Sequence, residues 1–444
     1  MNNKSLDIQI SFLSLIKFAL PTMIANLFMN VYMTVDGIFV SNCISTDALS
    51  AINIVMPFIT IILAIGILFG TGGSAFIAKQ LGESKIKEAK ENFTAILVIC
   101  LLVSSFFVVF GFAFCRPILY FLGANDIVIE LCVDYAMPLF FVAPFAMLGM
   151  LFQTFFITEG KPNLGMVFSF LGGIANIFLD WILIYVLKMA LTGAALATGI
   201  GYSIPGILGL LYFVFNKKGA LCFSKPKFRR KVILKVVTNG SSEMVTMLFS
   251  SIVMIFMNNR MMQYAGEDGV AAISILLTAQ SLLTSIYIGY ATGVAPITSF
   301  NFGRQDSNNL KRLHRINMKW IIILSIATFL ISLPLAKPLI SIYTRVGTNV
   351  FDIAYSGYYL FAISFLFMGF GIYCSSMFTA FNDGKTSALI SFLRSFVFML
   401  GSLSILPHLF EINGVWLAVP VAEMCSMFLV LFFTNIKKEV YNYA

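Results

Sequence analysis

The segment NKKGALCFSKPKFRRK, residues 216–231, is the most polar stretch of a 444-residue chain and divides that chain almost in half. Elsewhere apolar residues dominate: 59% of the chain is hydrophobic, only 11% is charged, and the mean hydropathy is +0.92. Because roughly a quarter of the residues in a soluble domain are charged, a water-soluble fold is excluded. The composition predicts a helical, multi-pass membrane protein in which a basic linker joins two halves, residues 1–215 and 232–444.

Apolar segments that are long enough to cross a bilayer recur along both halves. About 20 apolar residues in a helix span the ~30 Å hydrocarbon core. Breaks at charged residues, glycine or proline separate twelve such segments, an even number that places both termini on one side of the membrane. They lie near residues 12–40, 48–78, 91–115, 130–157, 163–187, 191–215, 232–259, 268–300, 316–336, 350–380, 386–406 and 412–434.

The distribution of basic residues indicates on which side of the membrane the two termini lie. Of the 29 Lys and Arg residues, 23 lie in the termini or in loops on the same side as the termini, and cytoplasmic loops retain such residues. Both termini are therefore predicted to be cytoplasmic, in a protein of the cell membrane. The net charge of +9 is spread over several short loops, which favours contact with membrane lipids and argues against a nucleic-acid partner.

The two halves are similar in sequence at a shift of 221 residues along the chain, which we call the repeat offset. The string GTGGSAFIAKQLGE (70–83) aligns with ATGVAPITSFNFGR (291–304), so that Gly82 matches Gly303. The turn EGKPN (159–163) in the first half meets DGKTS (383–387) in the second at a slightly larger shift of 224 residues. With six spans each, the halves enter the membrane in the same direction and should be related by a pseudo-two-fold axis along the membrane normal. The predicted fold is all-α, with twelve transmembrane helices in two six-helix bundles.

The string GGIANIFLDWILI, residues 172–184, places polar residues inside the fifth apolar run. Asn176 and Asp180 are four positions apart and therefore lie on one face of a helix. A charged aspartate near the bilayer centre costs on the order of 2.5–3.5 kcal/mol, and such residues usually face the bundle interior and have a functional role. We expect this face to point inward, with Gly172 and Gly173 allowing a neighbouring helix to pack closely.

Together these strings resemble the multidrug and toxic compound extrusion (MATE) family of the larger flippase superfamily. The resemblance covers nearly the whole chain, from a first span reading ALPTMIANLFMNVYMTVDGIFVS through GTGGSAFIAKQLG and its partner GVAPITSFNFG to the EGKPN turn. It implies a V-shaped pair of lobes that exports organic cations or other lipophilic drugs in exchange for H⁺ or Na⁺.

The resemblance also implies a cation site in the N-terminal lobe. The first-span aspartate of the family matches Asp36, its Asn-x-x-x-Asp pair matches Asn176 and Asp180, and its sixth-span threonine matches Thr198. Their positions along the spans place them at similar depth. Two carboxyl groups in a low dielectric favour proton uptake, and their oxygens, with an amide and a hydroxyl, also suit Na⁺. The coupling ion stays open between H⁺ and Na⁺, and no other cofactor is implied.

The resemblance further separates two branches of the family. The sodium-coupled branch has an acidic site in the C-terminal lobe, with a glutamate about ten residues after the glycine that opens the seventh span. Counted from Gly240, that position holds Ser250 in this chain. The difference favours the branch that is built around the N-terminal-lobe site, the DNA-damage-inducible F-like branch.

The C-terminal half has buried charges of its own in the seventh, eleventh and twelfth spans. Glu243, Arg394 and Glu423 lie at similar distances from a membrane face, which predicts that Arg394 pairs with one or both glutamates. Because a buried ion pair is weak evidence for either stability or function, the cluster is open to two interpretations. It is either a structural pair or a group that takes part in coupling or substrate binding.

The chain has 22 Met, 46 Phe and 16 Tyr residues. Their thioether and aromatic side chains can accept lipophilic or cationic small molecules, but the composition of a membrane protein produces the same excess. The candidates for lining the substrate cavity are Asn26, Tyr32, Met33, Gln153 and Tyr287. No spacing of cysteine or histidine predicts a disulfide or a metal site, and no catalytic set predicts an enzyme.

The leading hypothesis is a monomeric multidrug antiporter that works by alternating access. The alternative is a lipid-linked glycan flippase of the same superfamily. Such flippases usually display several cationic residues in their central cavity, whereas Arg394 is the single basic residue predicted deep within a span. The physiological substrate is left open by these residues.

Overall fold

A computed structural model describes residues 6–43 and 46–443, and most of them are helical. Residues 1–5, 44–45 and 444, which the two predicted halves include, lie outside the described residues. Two π-helical segments, Trp181–Val186 and Leu393–Phe398, interrupt the α-helical pattern. The α-helices are α1 (Phe12–Cys43), α2 (Thr46–Gly82), α3 (Ile86–Ala113), α4 (Cys115–Phe121), α5 (Ile129–Thr158), α6 (Pro162–Asp180), α7 (Ala190–Phe215), α8 (Arg230–Gly303), α9 (Ser307–Ser341), α10 (Asn349–Ala362), α11 (Phe365–Ala380), α12 (Gly384–Phe392) and α13 (Met399–Tyr441).

Two of these helices are too long to be single spans. At 1.5 Å per residue, a straight helix the length of α8 would extend about 110 Å, but Gly266 (φ 62°, ψ −152°) breaks it into two spans. Glu411 (φ 52°, ψ −131°) breaks α13 in the same way. The helices α10 and α11 meet at an angle of 56° and form one bent span.

With these breaks, the described residues form twelve spans in two six-helix bundles, which confirms the predicted fold. Spans one to six are α1, α2, α3, α5, α6 with its π-helical segment, and α7. Spans seven and eight are the parts of α8 before and after Gly266, and span nine is α9. Span ten is α10 with α11, span eleven runs from α12 to Glu411, and span twelve is the remainder of α13.

Each bundle has its own aromatic core. In the N-terminal lobe, the ring of Phe93 lies 4.9 Å from that of Phe155 and 4.9 Å from that of Phe213. In the C-terminal lobe, Trp416 is 1% exposed and packs against Gly357 in a space that a Cβ would fill. Because lipid tails are as apolar as these side chains, close packing of this kind, and not exclusion of water, holds such helices together.

The lobes meet at a glycine crossing between spans two and eight. A Cβ on Gly82 would overlap the carbonyl oxygen of Phe300, and a Cβ on Gly303 would overlap the carbonyl oxygen of Lys79. Lys79 and Phe300 are separated by the same repeat offset as the two glycines. The crossing therefore obeys the pseudo-two-fold symmetry. It lies at the face of the protein that carries both described chain ends, which we call the terminal face.

A second pair of contacts obeys the same symmetry. A Cβ on Gly72 would lie 2.7 Å from the amide nitrogen of Gly240, and a Cβ on Gly293 would lie 2.9 Å from the Cα of Ala19. The repeat offset relates Gly72 to Gly293 and Ala19 to Gly240. The contact between spans two and seven is therefore the symmetry equivalent of the contact between spans eight and one.

At the terminal face, an acidic residue holds the segment after the sixth span of the first lobe and the last residue of the sixth span of the second lobe. In the EGKPN turn, Glu159 accepts hydrogen bonds from the amide N–H groups of Ala220 (3.2 Å) and Leu221 (2.6 Å). Burial raises the pKa of Glu159, and the hydrogen bond from Leu221 opposes that rise. In the DGKTS turn, Asp383 accepts from the hydroxyl of Tyr441 at 2.7 Å. The repeat therefore extends to the acidic residue that holds the C-terminal end of each lobe.

The glycine crossing predicts that added methyl groups destabilise the contact between the lobes. In Gly82→Ala or Gly303→Ala protein, the two helices must separate, and overpacking of this kind costs about 1–3 kcal/mol. Thermal unfolding in detergent should show a lower midpoint for both variants. The matched control is Gly401→Ala, where no atom lies within 4 Å of the new Cβ and helix propensity favours alanine. Equal midpoints for all three variants would contradict the close crossing.

Candidate functional site

The structure brings together Asp36 of span one and Asp180 of span five. Their carboxyl groups lie within hydrogen-bonding distance of each other. Asp180 is completely buried, whereas Asp36 is partly exposed. In the described part of the chain, no ion pair joins either carboxylate to a basic residue. Two carboxylates held this closely repel each other as anions, so the contact favours a form in which a proton or a metal cation lies between them.

The other two predicted site residues belong to the same cluster. Asn176 lies one turn before Asp180 on the inner face of α6 and is 2% exposed. Thr198 lies on span six beside Tyr135, whose hydroxyl also lies within electrostatic reach of both aspartates. The hydroxyls of Tyr135 and Thr198 are neighbours but do not form a well-aligned hydrogen bond, because Thr198 Oγ1 has no partner of acceptable geometry.

Glycines position the helices that carry the site. A Cβ on Gly172 would lie 2.6 Å from the carbonyl oxygen of Gly201, and one on Gly201 would lie 2.8 Å from the Cβ of Asn176. Spans five and six therefore touch along their backbones. On the other side, a Cβ on Gly173 would lie 2.7 Å from the Cδ1 of Tyr32 on span one. The expected close packing at Gly172 and Gly173 is confirmed.

The π-helical segment Trp181–Val186 begins directly after Asp180. Such segments are rare, occur mostly as single turns inside α-helices, and are frequent at functional sites. The wider turn changes the direction of the side chains that follow it. The fifth span of the second lobe has a counterpart in Leu393–Phe398, which contains Arg394, so the fifth span of each lobe departs from α-helical geometry beside its buried charge.

Buried polar atoms of the cluster lack hydrogen-bond partners among the described residues. They are Oδ1 of Asp36, both carboxyl oxygens of Asp180, Oδ1 and Nδ2 of Asn176, and Oγ1 of Thr198. Buried polar groups in native structures are paired in the great majority of cases, and an unpaired buried charge is particularly costly. The donor set, which is rich in oxygen and carries two acids, fits a small cation or a proton.

Two residues of the cluster were not predicted from the sequence. Tyr135 and Tyr202 both lie within electrostatic reach of Asp36. Tyr202 follows Thr198 by one helical turn, so the same-face rule that relates Asn176 to Asp180 also indicates it. Tyr135 lies on span four, and no sequence pattern connects it to the site.

The candidates for the substrate cavity lie in different places. Tyr32 and Gln153 line a small cavity of about 20 Å³ between spans one, four, five and six. The side-chain amide of Asn26 donates to the backbone carbonyl of Thr22 at 2.9 Å, so it is satisfied within its own helix. Met33 is 38% exposed.

Tyr287 lies in the core of the C-terminal lobe and not on a cavity wall. Its side chain is 0% exposed, and its hydroxyl donates to the carbonyl oxygen of Phe365 at 3.1 Å. A Cβ on Gly369 would lie 2.9 Å from its ring. Composition alone does not separate a buried aromatic residue of the core from one that lines a cavity, which explains this misplacement.

In the C-terminal lobe, Arg394 and Glu423 form the predicted contact. The distances from Nε to Oε2 and from Nη2 to Oε1 are both 2.8 Å, and the glutamate side chain is only 6% exposed. A Cβ on Gly371 would lie 2.9 Å from Nε, so this glycine makes room for the guanidinium group. Glu243 lies within electrostatic reach of Arg394, but no direct ion pair joins the two among the described residues.

Comparison with known proteins identifies the family. The MatE family model matches residues 21–182 and 242–402, one stretch in each lobe, and together they cover most of the chain. The chain belongs to the MatE family. The first MatE match contains Asp36, Asn176 and Asp180, and the second contains Glu243 and Arg394.

Relatives of this MatE protein match it along almost its entire length. The multidrug export protein MepA of Staphylococcus saprophyticus is 23% identical over 430 residues, covering 94% of this chain and 92% of the relative. The protein of the same name from Staphylococcus aureus is 24% identical over 438 residues, with the same two coverages. An outward-facing structure of a multidrug resistance MATE family transporter of the MOP superfamily has the same fold, with a TM-score of 0.92, 21% identity and coverage of 100% of this chain and 99% of that one.

The unpartnered carboxyl oxygens predict an unusual response to mutation. In Asp180→Asn protein, an amide that can donate to Asp36 replaces a carboxylate that cannot. Leaving a buried polar group unsatisfied costs about 1–3 kcal/mol, so we expect the thermal midpoint of the variant to equal or exceed that of the wild type. Asp134→Asn, at an exposed position of span four, is the matched control and should leave the midpoint unchanged. A large drop for Asp180→Asn alone would reveal a structural partner that Asp180 requires.

Proposed function

We propose that this MatE protein is a secondary active antiporter that exports lipophilic or cationic organic compounds in exchange for H⁺ or Na⁺. The observation that carries the proposal is the Asp36–Asp180 contact, in which two carboxyl groups meet without a basic partner among the described residues. The names of the MepA relatives, which are multidrug export proteins, support the proposed substrate class.

Span one connects the ion-binding site to the contact between the two lobes. It carries Asp36, and less than two turns earlier the side-chain amide of Asn30 donates to the hydroxyl of Ser285 on span eight at 2.7 Å. Pro21 lies inside the same helix and weakens its hydrogen-bond pattern, which allows a bend. A cation that draws Asp36 towards Asp180 therefore strains the contact between the lobes, which is the requirement for alternating access.

The energy available from ion movement is sufficient for such a step. One elementary charge moving through 100 mV releases about 2.3 kcal/mol. A concentration gradient of the same ion adds to this value. One ion per cycle can therefore drive a conformational equilibrium across a difference of a few kcal/mol.

The topology supports a multi-pass protein of the cell membrane with both termini in the cytoplasm. The terminal face then carries the exposed lysines of the linker, Lys217 and Lys218, together with Arg230 and Lys231. Basic residues near span ends are retained on the cytoplasmic side and attract anionic lipids. Each chain contains both lobes, so a monomer has the complete transport unit.

Ser250, which lines a cavity of the C-terminal lobe, supports the DNA-damage-inducible F-like branch. A hydroxyl at this position favours the N-terminal cluster as the place where the coupling ion binds. Both H⁺ and Na⁺ fit that cluster, because a proton shared by two carboxyl groups and a cation bound between their oxygens satisfy the same unpartnered atoms.

Dye efflux from reconstituted vesicles tests this function. One arm imposes a pH gradient in sodium-free buffer, and the other imposes a Na⁺ gradient at equal pH on both sides. We expect wild-type protein to export dye in at least one arm, and Asp36→Asn and Asp180→Asn proteins to lose at least about 90% of that ion-driven rate, since each removes a charge that the coupling ion must neutralise.

The control for this experiment is again Asp134→Asn, which changes an exposed carboxylate on span four and should retain the wild-type rate. Efflux that is unchanged in both site variants would exclude the Asp36–Asp180 pair as the coupling site. Absence of ion-driven efflux in the wild type in both arms would reject the antiporter itself.

A further inference from the structure

Residues 6–10, which precede α1, form a short non-helical segment at the terminal face that we call the strap. Leu6 is buried in the core cluster of the N-terminal lobe, which extends to Phe300 at the glycine crossing. Ile10 is buried in a separate apolar cluster with Ile297 of span eight. The strap therefore reaches from one lobe towards the other, and each of its ends is buried.

The charged residue of the strap is held by the C-terminal lobe. Oδ1 of Asp7 lies 2.6 Å from Nη1 of Arg304. The guanidinium group of Arg304 in turn lies over the ring of Phe300, with its Cζ 5.5 Å from the ring centroid. The carbonyl oxygen of Phe300 is the atom that faces Gly82 in the glycine crossing. A continuous series of contacts therefore leads from the strap to the place where the lobes meet.

Asp7 also lines a cavity of about 730 Å³ at the terminal face. One wall consists of residues 81–85, from the end of span two into the turn that follows it, and the other contains Phe300, Gly303 and Arg304 at the end of span eight. Because the two walls belong to different lobes, they separate when the lobes move apart at this face. A strap that is buried in the N-terminal core and paired with Arg304 must then release at least one of these contacts.

The repeat offset relates the strap to residues 227–231, the end of the basic linker. Nζ of Lys227 lies 2.9 Å from Oε1 of Glu91. Nη1 of Arg229 lies 3.1 Å from Oε2 of Glu88, and both glutamates belong to span three. The segment before the first span of each lobe is thus ion-paired to the opposite lobe. The linker joins the lobes covalently, whereas the strap joins them through side chains alone and can be released.

We propose that the strap stabilises the state in which the lobes are in contact at the terminal face, and that it is released when this face opens. The proposal rests on the proposed function, because alternating access requires that opening. Release frees Leu6 and Asp7 together, while Ile10 keeps the strap attached beside α1. Ion pairs between exposed side chains are weak, so burial of Leu6 supplies most of the stabilisation. Leu6 and Asp7 are thus positioning residues.

Electron paramagnetic resonance distances between one spin label on each lobe test the proposal. Lys161 and Lys385 are exposed residues in the corresponding turns of the two lobes, and labels attached there through a keto amino acid leave the native cysteines unchanged. Opening of the terminal face lengthens the distance between the labels. In full-length protein in lipid nanodiscs, we expect Leu6→Ala to raise the ratio of the long-distance to the short-distance population about tenfold, and Asp7→Asn to raise it about twofold.

The matched control lies within the strap itself. Gln9→Ala shortens an exposed side chain and should leave the population ratio at its wild-type value. If Leu6→Ala does not fold, Asp7→Asn decides the test, because it changes only an exposed carboxylate. A ratio that stays at the wild-type value in the strap variants, or that moves towards the short distance, would overturn the proposal.

The same measurement separates failure of the strap from failure of the proposed function. It is made over a range of pH in sodium-free buffer and over a range of Na⁺ at fixed pH. Absence of a long-distance population under every condition, in wild type and variants alike, would reject alternating access and with it the antiporter. A long-distance population that responds to the ion in the wild type, but is the same in Leu6→Ala and Asp7→Asn proteins, would reject the strap alone.

Discussion

The contact between Asp36 and Asp180 is the constraint on which the rest of the N-terminal lobe depends. Two acids placed side by side in a low dielectric need positive charge between them, and the described residues supply no basic side chain for that purpose. Several oxygen atoms of the cluster accept no hydrogen bond from the polar groups around them. In the proposed function, a proton or cation supplies this positive charge, and occupancy of the site acts as a switch for the helices that carry it.

In the proposed mechanism, the packing around this contact carries the effect of ion binding to the other lobe. Spans five and six touch along glycines at Gly172 and Gly201, so Asn176 and Asp180 belong to a rigid pair of helices. Span one is less constrained, because it contains Pro21 and extends from Asp36 to the other lobe. The glycine crossing at Gly82 and Gly303 lies on the pseudo-two-fold axis, and in the proposed transport cycle it is the contact about which the two lobes tilt.

Much of this architecture can be predicted from the sequence, because the internal repeat and the apolar periodicity determine the arrangement of the spans. The repeat offset relates Gly82 to Gly303 before any coordinates are considered, and the spacing of Asn176 and Asp180 places both on one face. Other features depend on tertiary geometry. Tyr135 reaches the site from span four without a local signal, and Tyr287 is buried in a core where composition suggested a cavity. Arg394 pairs with Glu423 and not with Glu243, a choice that the positions along the spans leave open.

The central claim is that the cation bound by Asp36 and Asp180 is exchanged for the exported compound. The most direct measurement is the Kd of a cationic dye for purified protein, determined over a range of pH in sodium-free buffer and over a range of Na⁺ at fixed pH. The account predicts that the wild-type Kd rises as the coupling ion becomes more abundant and that this dependence disappears in Asp36→Asn and Asp180→Asn proteins. The same ion dependence in wild type and both variants would contradict it.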